Sequence, residues 1–281
     1  MLGWWQAVVL GVVEGVTEYL PVSSTGHLIL TTSLMRLPRG ADGDALDTFL
    51  IVIQGGAILA VLALYWPRVI SMMRGLVGRD PNGLRLACHV ALAFVPAAVV
   101  GLLVGKHVKA MLFGDWPVIA ALAAGGLWML WLRRRSSTGM RVDDMAWRTA
   151  LGVGCFQVLA LWPGTSRSMA TIGGGMLLGL EVSAAAEFSF LLGLPTLGAA
   201  CIHELHGNLR DAAAAGRPSM FAELGTGPVL LGMAVATVSA MLAVRWLVGW
   251  LNRHGLAPFG WYRLAVAAVF AVLLLAGVVG P

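Results

Sequence analysis

Long apolar runs separated by short polar stretches make up most of this chain. A helix needs roughly 20 mostly apolar residues to cross the hydrocarbon of a bilayer. Six runs come close to that length: residues 49–66, 86–105, 116–132, 184–205, 227–250 and 261–279. The pattern therefore predicts an all-α integral membrane protein with six transmembrane helices.

Two further apolar stretches, residues 2–35 and 149–180, are each broken in the middle by a proline, Pro21 or Pro163. A hydroxyl-rich turn and a second short apolar run follow each proline. Irregular backbone at membrane depth is tolerated only where it is buried in protein or lines a cavity. We therefore expect two re-entrant helical hairpins, each made of two half-helices.

The two hairpins open two halves that have the same order of elements. The five residues from Pro21 align with the five from Pro163, and three spans follow each hairpin. We expect one membrane domain, 1–281, with a first repeat over 1–132 and a second over 149–281. Because three is an odd number, the repeats have opposite orientations, and inverted repeats bring their broken helices together near the midplane.

Composition agrees with a membrane location. Hydrophobic residues make up 58% of the chain and charged residues 12%, whereas soluble domains carry about 25% charged residues. The net charge of +5 is scattered along the chain, which does not indicate a nucleic-acid surface. Cys88, Cys155 and Cys201 lack metal-ligand spacing and are interpreted as packing residues. The 36 glycines permit a homodimer through close helix packing without requiring one.

Basic residues predict the orientation, because cytoplasmic loops carry an excess of Lys and Arg. Eleven arginines fall in loops on one side, and six Lys and Arg fall on the other. The bias places the larger group in the cytoplasm and both Met1 and Pro281 outside. The larger group is Arg68, Arg74, Arg79, Arg85, Arg133, Arg134, Arg135, Arg141, Arg148, Arg253 and Arg263; the smaller is Arg36, Arg39, Lys106, Lys109, Arg210 and Arg217.

An acidic pair stands out in the first hairpin. Glu14 and Glu18 are four residues apart, so both side chains lie on one face of a helix. Two buried carboxylates repel unless a divalent cation bridges them, a basic group compensates them or one holds a proton. Mg²⁺ and Ca²⁺ favour such oxygen ligands. The alternative is a helix end that emerges into water.

Three hydroxyls, Ser23, Ser24 and Thr25, follow the acidic pair. They form either a helix N-cap cluster or, with free backbone amides at a helix N-terminus, an anion site. A hydroxyl in such a place can be a nucleophile if a base lies within hydrogen-bond reach, and His27 and Glu18 are the local candidates. The alternative for His27 is a histidine that only satisfies packing.

The second hairpin supplies the opposite charge at Arg167. Its guanidinium stays protonated, needs an anionic partner at membrane depth, and matches the geometry of phosphate oxygens. Ser166, Ser168 and Thr171 surround it with donors. The alternative is a structural ion pair with the acidic residues of the first hairpin. Together the two hairpins predict a buried site for a phosphorylated, lipid-like substrate.

The chain resembles the undecaprenyl-pyrophosphate phosphatase family of the bacitracin-resistance type. One family motif, Glu-x-x-x-Glu continuing into Leu-Pro-Val-Ser-Ser-Thr-Gly-His, matches residues 14–27, and a second, Pro-Gly-x-Ser-Arg-Ser followed by Ala-Thr-Ile, matches residues 163–172. The resemblance covers nearly the whole chain. Leu50 stands where the family usually has an acidic residue, and Met169 where it commonly has Gly. Further matching stretches are residues 52–54, 156–162, 187–192 and 262–263.

The resemblance implies an undecaprenyl-diphosphatase: an enzyme of the bacterial plasma (inner) membrane that removes the terminal phosphate of a C55 polyprenyl pyrophosphate. The product is the monophosphate carrier lipid for cell-wall peptidoglycan synthesis. The resemblance also implies a site that faces the periplasm and a divalent cation, Mg²⁺ or Ca²⁺, that supports activity.

Roles follow for the residues of both motifs. Arg167 holds the pyrophosphate, His27 is an acid or base, and Ser24 or a water molecule is the nucleophile. Glu14 and Glu18 hold the cation or activate the attacking group. A lipid or ion transporter is the rival, because inverted repeats with broken helices are also transporter architecture; a purely structural membrane protein leaves the buried charges unexplained. The remaining phosphate-binding candidates are Ser23, Thr25, Ser166, Ser168 and Thr171.

Overall fold

The computed structural model describes residues 1–37, 44–112, 114–133 and 139–279. Within these ranges the chain folds into α-helices with short 3-10 turns, and the only strand-like pairing there is one isolated bridge between Met140 and Leu180. The helices are α1 (Trp4–Thr17), α2 (Ser24–Leu34), α3 (Asp44–Val52), α4 (Gln54–Leu64), α5 (Trp66–Leu76), α6 (Pro81–Leu112), α7 (Asp115–Leu132), α8 (Trp147–Gln157), α9 (Arg167–Leu177), α10 (Val182–Ala215), α11 (Met220–Leu224), α12 (Thr226–His254) and α13 (Ala257–Leu275).

Six segments are long and apolar enough to cross a membrane, as the sequence predicts. They are the consecutive helices α3 and α4, the Pro81–Gly105 part of α6, and the whole of α7, α10, α12 and α13. Large apolar side chains stay exposed on their outer faces; Leu103 of α6 is 74% exposed. Such a surface suits lipid and indicates a multi-pass membrane protein.

Two helix pairs lie where the sequence predicts hairpins: α1 with α2, and α8 with α9. A 3-10 turn over Val158–Leu161 extends α8. The spacing between the two helix starts is the same in both pairs, so Ser23 and Ser166 are the equivalent residues before α2 and α9. The register differs by one residue from the sequence alignment, which pairs Ser23 with Thr165.

Each helix pair packs on a span from the other half of the chain: α1 on α12, and α8 on α6. Glycines permit the close approach. A Cβ at Gly11 would lie 2.6 Å from the carbonyl oxygen of Gly232, and one at Gly154 would collide with the carbonyl of Ala93. Gly11 and Gly154 hold the same position within α1 and α8, so the two contacts are equivalent. This packing holds the loops of both pairs together between the spans.

Two features differ from the sequence prediction. Residues 67–76, predicted as part of a cytoplasmic loop, belong to the helix α5, which packs tightly against the start of α6. Arg263, counted with the loop arginines, is fully buried within α13. That assignment was wrong, because the guanidinium binds backbone carbonyls inside the protein instead of solvent. Four residues of the orientation prediction lie outside the described ranges: Arg39, Arg134, Arg135 and Pro281.

Candidate active site

A cavity of about 640 Å³ lies between the two loops and α4, α6 and α10. Polar and apolar side chains both line it. The apolar ones include Phe94, Ala97, Leu102, Leu161 and Leu197. Six of the predicted site residues are among the polar ones: Glu18, Ser23, Ser24, Thr25, Ser166 and Arg167.

The helices α2 and α9 both point their N-termini at this cavity. Ser23 Oγ accepts a hydrogen bond from the backbone N–H of Gly26 (3.3 Å), and Ser166 Oγ accepts one from Met169 (3.2 Å). Both serines have positive φ, 75° and 73°, which is uncommon for a non-glycine residue. The remaining free N–H groups of the first turns give the cavity an anion-binding character.

Ser24 and Glu18 form a hydroxyl–carboxylate pair in the wall of the cavity. Ser24 Oγ donates to Glu18 Oε2 over 2.6 Å. The two residues are 8% and 7% exposed, so the pair is shielded from bulk water and still borders the cavity. This geometry allows a carboxylate to accept the proton of a hydroxyl that attacks an electrophile.

Arg167 faces the same carboxylate from the second loop. Its Nη2 lies 3.4 Å from Glu18 Oε1, longer than the roughly 2.7–2.9 Å of a strong charge-assisted hydrogen bond. Its Nη1 donates to the carbonyl of Ser189 over 2.8 Å, and its Nε has no partner among the described residues. The guanidinium is thus anchored by the backbone, and the long contact to Glu18 leaves Nη2 able to donate to an anion in the cavity.

Ser168 and Thr171 lie behind the cavity wall. Ser168 Oγ donates to the carbonyl of Glu18 over 3.0 Å. Thr171 Oγ1 donates to the carbonyl of Arg167 over 2.8 Å and lies 2.6 Å from Ser189 Oγ. Neither side chain is among those that line the cavity, so in this structure both hold the site residues in place.

His27 is also set back from the cavity. Its Nδ1 lies 2.7 Å from the carbonyl oxygen of Ser23, and its Nε2 lies 2.8 Å from the hydroxyl of Tyr262. The two rings stack with centroids 5.6 Å apart. The histidine therefore contacts the site only at the peptide between Ser23 and Ser24, by way of the Ser23 carbonyl.

Glu14 is fully buried one turn before Glu18. Neither of its carboxylate oxygens has a hydrogen-bond partner among the described residues. An unsatisfied buried carboxylate is costly, and two neighbouring carboxylates supply the hard oxygen ligands that a divalent cation prefers. The described residues contain no group of three or more Asp, Glu, His or Cys that could hold a metal, so a cation there would also need water or substrate oxygens.

Sequence reasoning missed several polar residues of the cavity. Gln54, Gln157 and Thr196 line it. Gln157 is 2% exposed and holds the position in α8 that Glu14 holds in α1, so a search for equivalent positions in the two hairpins would have found it. His203 lines the cavity from α10 with an exposed side chain.

Arg263 was missed because its partners are backbone atoms. It donates to the carbonyls of Leu122 (3.2 Å), Ala121 (2.9 Å), Pro21 (3.4 Å) and Gly164 (2.9 Å). The last two carbonyls belong to the two loops of the site. The sequence offered two signals for it: an arginine inside the last apolar span, and the family-matching stretch 262–263.

The fold and the site define a class, a multi-pass helical membrane protein in which a carboxylate, hydroxyls and an arginine from two loops border one cavity. The family model described as "Bacitracin resistance protein BacA" matches residues 7–269, and the chain belongs to that family.

Proteins similar to this chain carry one activity in their names. An "Undecaprenyl-diphosphatase" of Sorangium cellulosum is 49% identical over 271 residues, 95% of this chain and 85% of that protein. "Undecaprenyl-diphosphatase 2" of Rhodospirillum rubrum is 44% identical over 98% of this chain and 96% of its own length. An "Undecaprenyl-diphosphatase" of Rhizorhabdus wittichii is also 44% identical, over 96% and 97%.

Proposed function

We propose that this chain is a membrane-embedded phosphatase that hydrolyses undecaprenyl pyrophosphate to undecaprenyl phosphate and inorganic phosphate. The observation that carries the proposal is a single cavity that is lined by the Ser24–Glu18 pair, by Arg167 and by apolar side chains. The names of the relatives agree with it. In the cell the reaction recycles the carrier lipid of peptidoglycan synthesis, which fits a family described by bacitracin resistance.

Arg167 binds the pyrophosphate and neutralises charge in the transition state. Its long contact to Glu18 leaves Nη2 available as a donor. The first-turn N–H groups of α2 and α9, with Ser166, add fixed dipoles aimed at the same space. Preorganised donors of this kind are the main source of catalysis in phosphoryl transfer.

Two routes are open for the attack on the terminal phosphorus. In one, Ser24 Oγ attacks, Glu18 takes its proton, and the bond to the bridging oxygen breaks to release the lipid monophosphate; water then cleaves the serine phosphate. In the other, Glu18 takes a proton from a water molecule as its oxygen attacks the phosphorus directly, and the bond to the bridging oxygen breaks to release the lipid monophosphate and inorganic phosphate. The 2.6 Å hydrogen bond from Ser24 to Glu18 supports the first route. His27 lies behind the Ser23–Ser24 peptide, so to act as the acid or base its side chain has to turn from the Ser23 carbonyl toward the cavity.

Glu14 and Glu18 are the residues that would hold a divalent cation, Mg²⁺ or Ca²⁺. The buried oxygens of Glu14, which lack a partner among the described residues, support this assignment. When bound, the cation supplies positive charge that neutralises the pyrophosphate. The isoprenoid chain lies along the apolar wall that Phe94, Ala97 and Leu102 form on α6.

The proposal places both helix pairs in the membrane as re-entrant hairpins of an inverted repeat. The matching spacing of helix starts, and the matching positions of the Gly11 and Gly154 contacts, support two equivalent halves. Without Arg263, the basic residues divide ten against six, which still favours both termini on the outer side. The bacterial inner membrane as the location, and a site that faces the periplasm, are what the family resemblance implies.

Release of phosphate from detergent-solubilised protein tests the function. Hydrolysis needs no second compartment, whereas transport does. We expect phosphate release from undecaprenyl pyrophosphate that is strongly reduced in Arg167→Ala, whichever route operates, and kept in the matched variant Arg210→Ala, whose side chain is exposed on α10. Absence of release, together with movement of the lipid between leaflets of a reconstituted vesicle, would favour the transporter.

A further inference from the structure

Arg263 is a charged side chain with no contact to solvent. None of the ion pairs among the described residues includes it. Its hydrogen bonds go instead to four backbone carbonyls, two on α7 (Ala121 and Leu122) and two on the loops of the site (Pro21 and Gly164). Burial of a charge is unfavourable unless it is well compensated, so the position needs an explanation beyond packing.

The two loop carbonyls occupy equivalent places. Pro21 and Gly164 each lie two residues before the serine that caps α2 or α9. One guanidinium therefore binds the equivalent carbonyl oxygen in each loop: Nη1 donates to Pro21 and Nη2 donates to Gly164. Through Nε and Nη2 the same group is also tied to α7.

We propose that Arg263 is a positioning residue that sets the distance and orientation between the two loops of the active site. The inference rests on the proposed phosphatase function, because only that function assigns Ser24 and Glu18 of one loop and Arg167 of the other to one reaction. Arg263 itself does not line the cavity. It acts through the backbone just ahead of the residues that do.

The planar fork of arginine is what this position needs. Its five donors point in fixed directions in one plane, whereas a lysine ammonium is a compact group that cannot span carbonyls on opposite sides. The space for the fork is made by Gly125 of α7, where a Cβ would collide with the guanidinium. Arg263→Lys therefore keeps the charge but loses the bridge, that is, the simultaneous hydrogen bonds to Pro21 and Gly164. Gly125→Ala keeps the arginine but displaces its guanidinium.

Kinetics of the purified protein test the proposal. We expect Arg263→Lys to lower kcat by about 10²-fold, the loss associated with a misplacement of about 1 Å. KM for the polyprenyl pyrophosphate should stay nearly unchanged, because the donors of each loop still bind phosphate oxygens. Gly125→Ala should likewise lower kcat and leave KM nearly unchanged. Their matched controls are Arg253→Lys, on the exposed end of α12, and Gly249→Ala, where an added methyl meets open space.

Amide hydrogen exchange gives a readout that does not depend on activity. In Arg263→Lys and in Gly125→Ala, residues 20–26 and 163–169 should both exchange faster, while α3 and α4 keep the parent rates. If the parent showed no hydrolysis but the two loops still loosened together, the phosphatase proposal would fail and the bridge would stand. Parent-like kcat in both variants, or faster exchange spread evenly over all helices, would overturn the positioning role.

If a variant loses stability, a double-mutant cycle still separates a positioning role of Arg263 from a role in stabilising the fold. Residues that act through one geometry have non-additive effects. In the Arg167→Lys background, whose guanidinium is already absent, Arg263→Lys should cause a smaller further loss of kcat than it does in the parent. Fully additive losses would mean that Arg263 only stabilises the fold.

Discussion

Ser23 and Ser166, the residues that precede α2 and α9, share one backbone conformation, with φ of 75° and 73°. Each accepts a hydrogen bond on its side chain from the backbone N–H three residues further on. A left-handed conformation is unfavourable for serine, and residues held in it occur mainly where the surrounding structure imposes it. Here the same turn is used twice to aim a helix N-terminus at the cavity.

This conformation predicts how glycine and alanine should differ at position 23. Ser23→Gly removes the hydroxyl cap, which costs a few tenths of a kcal/mol, and relieves strain of about 1 kcal/mol. Ser23→Ala loses the cap and keeps the strain. We therefore expect the thermal midpoint of the solubilised protein to be near the parent value for glycine and lower for alanine.

Ser219 is the matched control for this pair of substitutions. It also precedes a helix, but its φ is −73° and its side chain makes no cap hydrogen bond. At position 219 glycine relieves no strain, so the glycine variant should not have a higher thermal midpoint than the alanine variant. An alanine variant at position 23 that melts above the glycine variant would contradict the strain assignment.

Substitution of Arg167 should separate charge from geometry. Arg167→Ala is expected to lower kcat by about 10²–10³-fold, the usual loss when a transition-state donor is removed. Arg167→Lys should restore only part of the rate, because a point charge cannot reproduce the fork. Steady-state phosphate release measures both, and Arg210→Ala on the surface is the control. Full activity of the lysine variant would show that only the charge matters.

Ser24 is expected to carry the phosphoryl group if the first route operates. Rapid quench with labelled pyrophosphate lipid should then trap a serine phosphate in the parent and none in Ser24→Ala. Ser23→Ala serves as the neighbouring control, since it loses a cap and not the contact to Glu18. A variant lacking the Ser24 hydroxyl that still turns over at the parent rate would favour direct attack by water.

The six spans and the two loops could be predicted because their signals are local in the sequence. A run of about 20 apolar residues predicts a span, and a proline followed by hydroxyls predicts a broken helix. Arg263 could not be placed in the same way. Its loop partners are 99 and 242 residues away in the chain, and a backbone carbonyl leaves no mark on the sequence.

The roles of individual polar residues were harder to predict than their neighbourhood. Sequence proximity suggested that His27 and Thr171 face the substrate, but His27 contacts Tyr262, 235 residues away, and Thr171 contacts Ser189 on α10. Conversely, Gln157 lines the cavity although nothing near it in the sequence is charged. Which face of a short helix borders a cavity depends on its packing partners, and these follow from tertiary structure.

The orientation in the membrane is testable by cysteine labelling in a cysteine-free background. A cysteine inserted directly after Met1, and Arg217→Cys, should react with an impermeant thiol reagent added to intact spheroplasts. Arg141→Cys should react only after the membrane is permeabilised. Both loop arginines are exposed, so lack of access through burial would not confuse the result. Labelling at position 141 from outside would reverse the topology that the basic residues predict.

The acidic pair yields the last prediction. If Glu14 and Glu18 share a cation, Glu14→Gln and Glu18→Gln should each raise the Mg²⁺ or Ca²⁺ concentration that gives half-maximal activity, because each removes an anionic ligand. If Glu18 is instead the base for Ser24, its variant should lose rate at every metal concentration and lose the acidic limb of the pH profile. Metal titrations at several pH values separate the two, with the exposed Glu223→Gln as control. Parent-like behaviour of both variants would make the pair structural, and the buried carboxylate of Glu14, unpartnered among the described residues, would then need a different explanation.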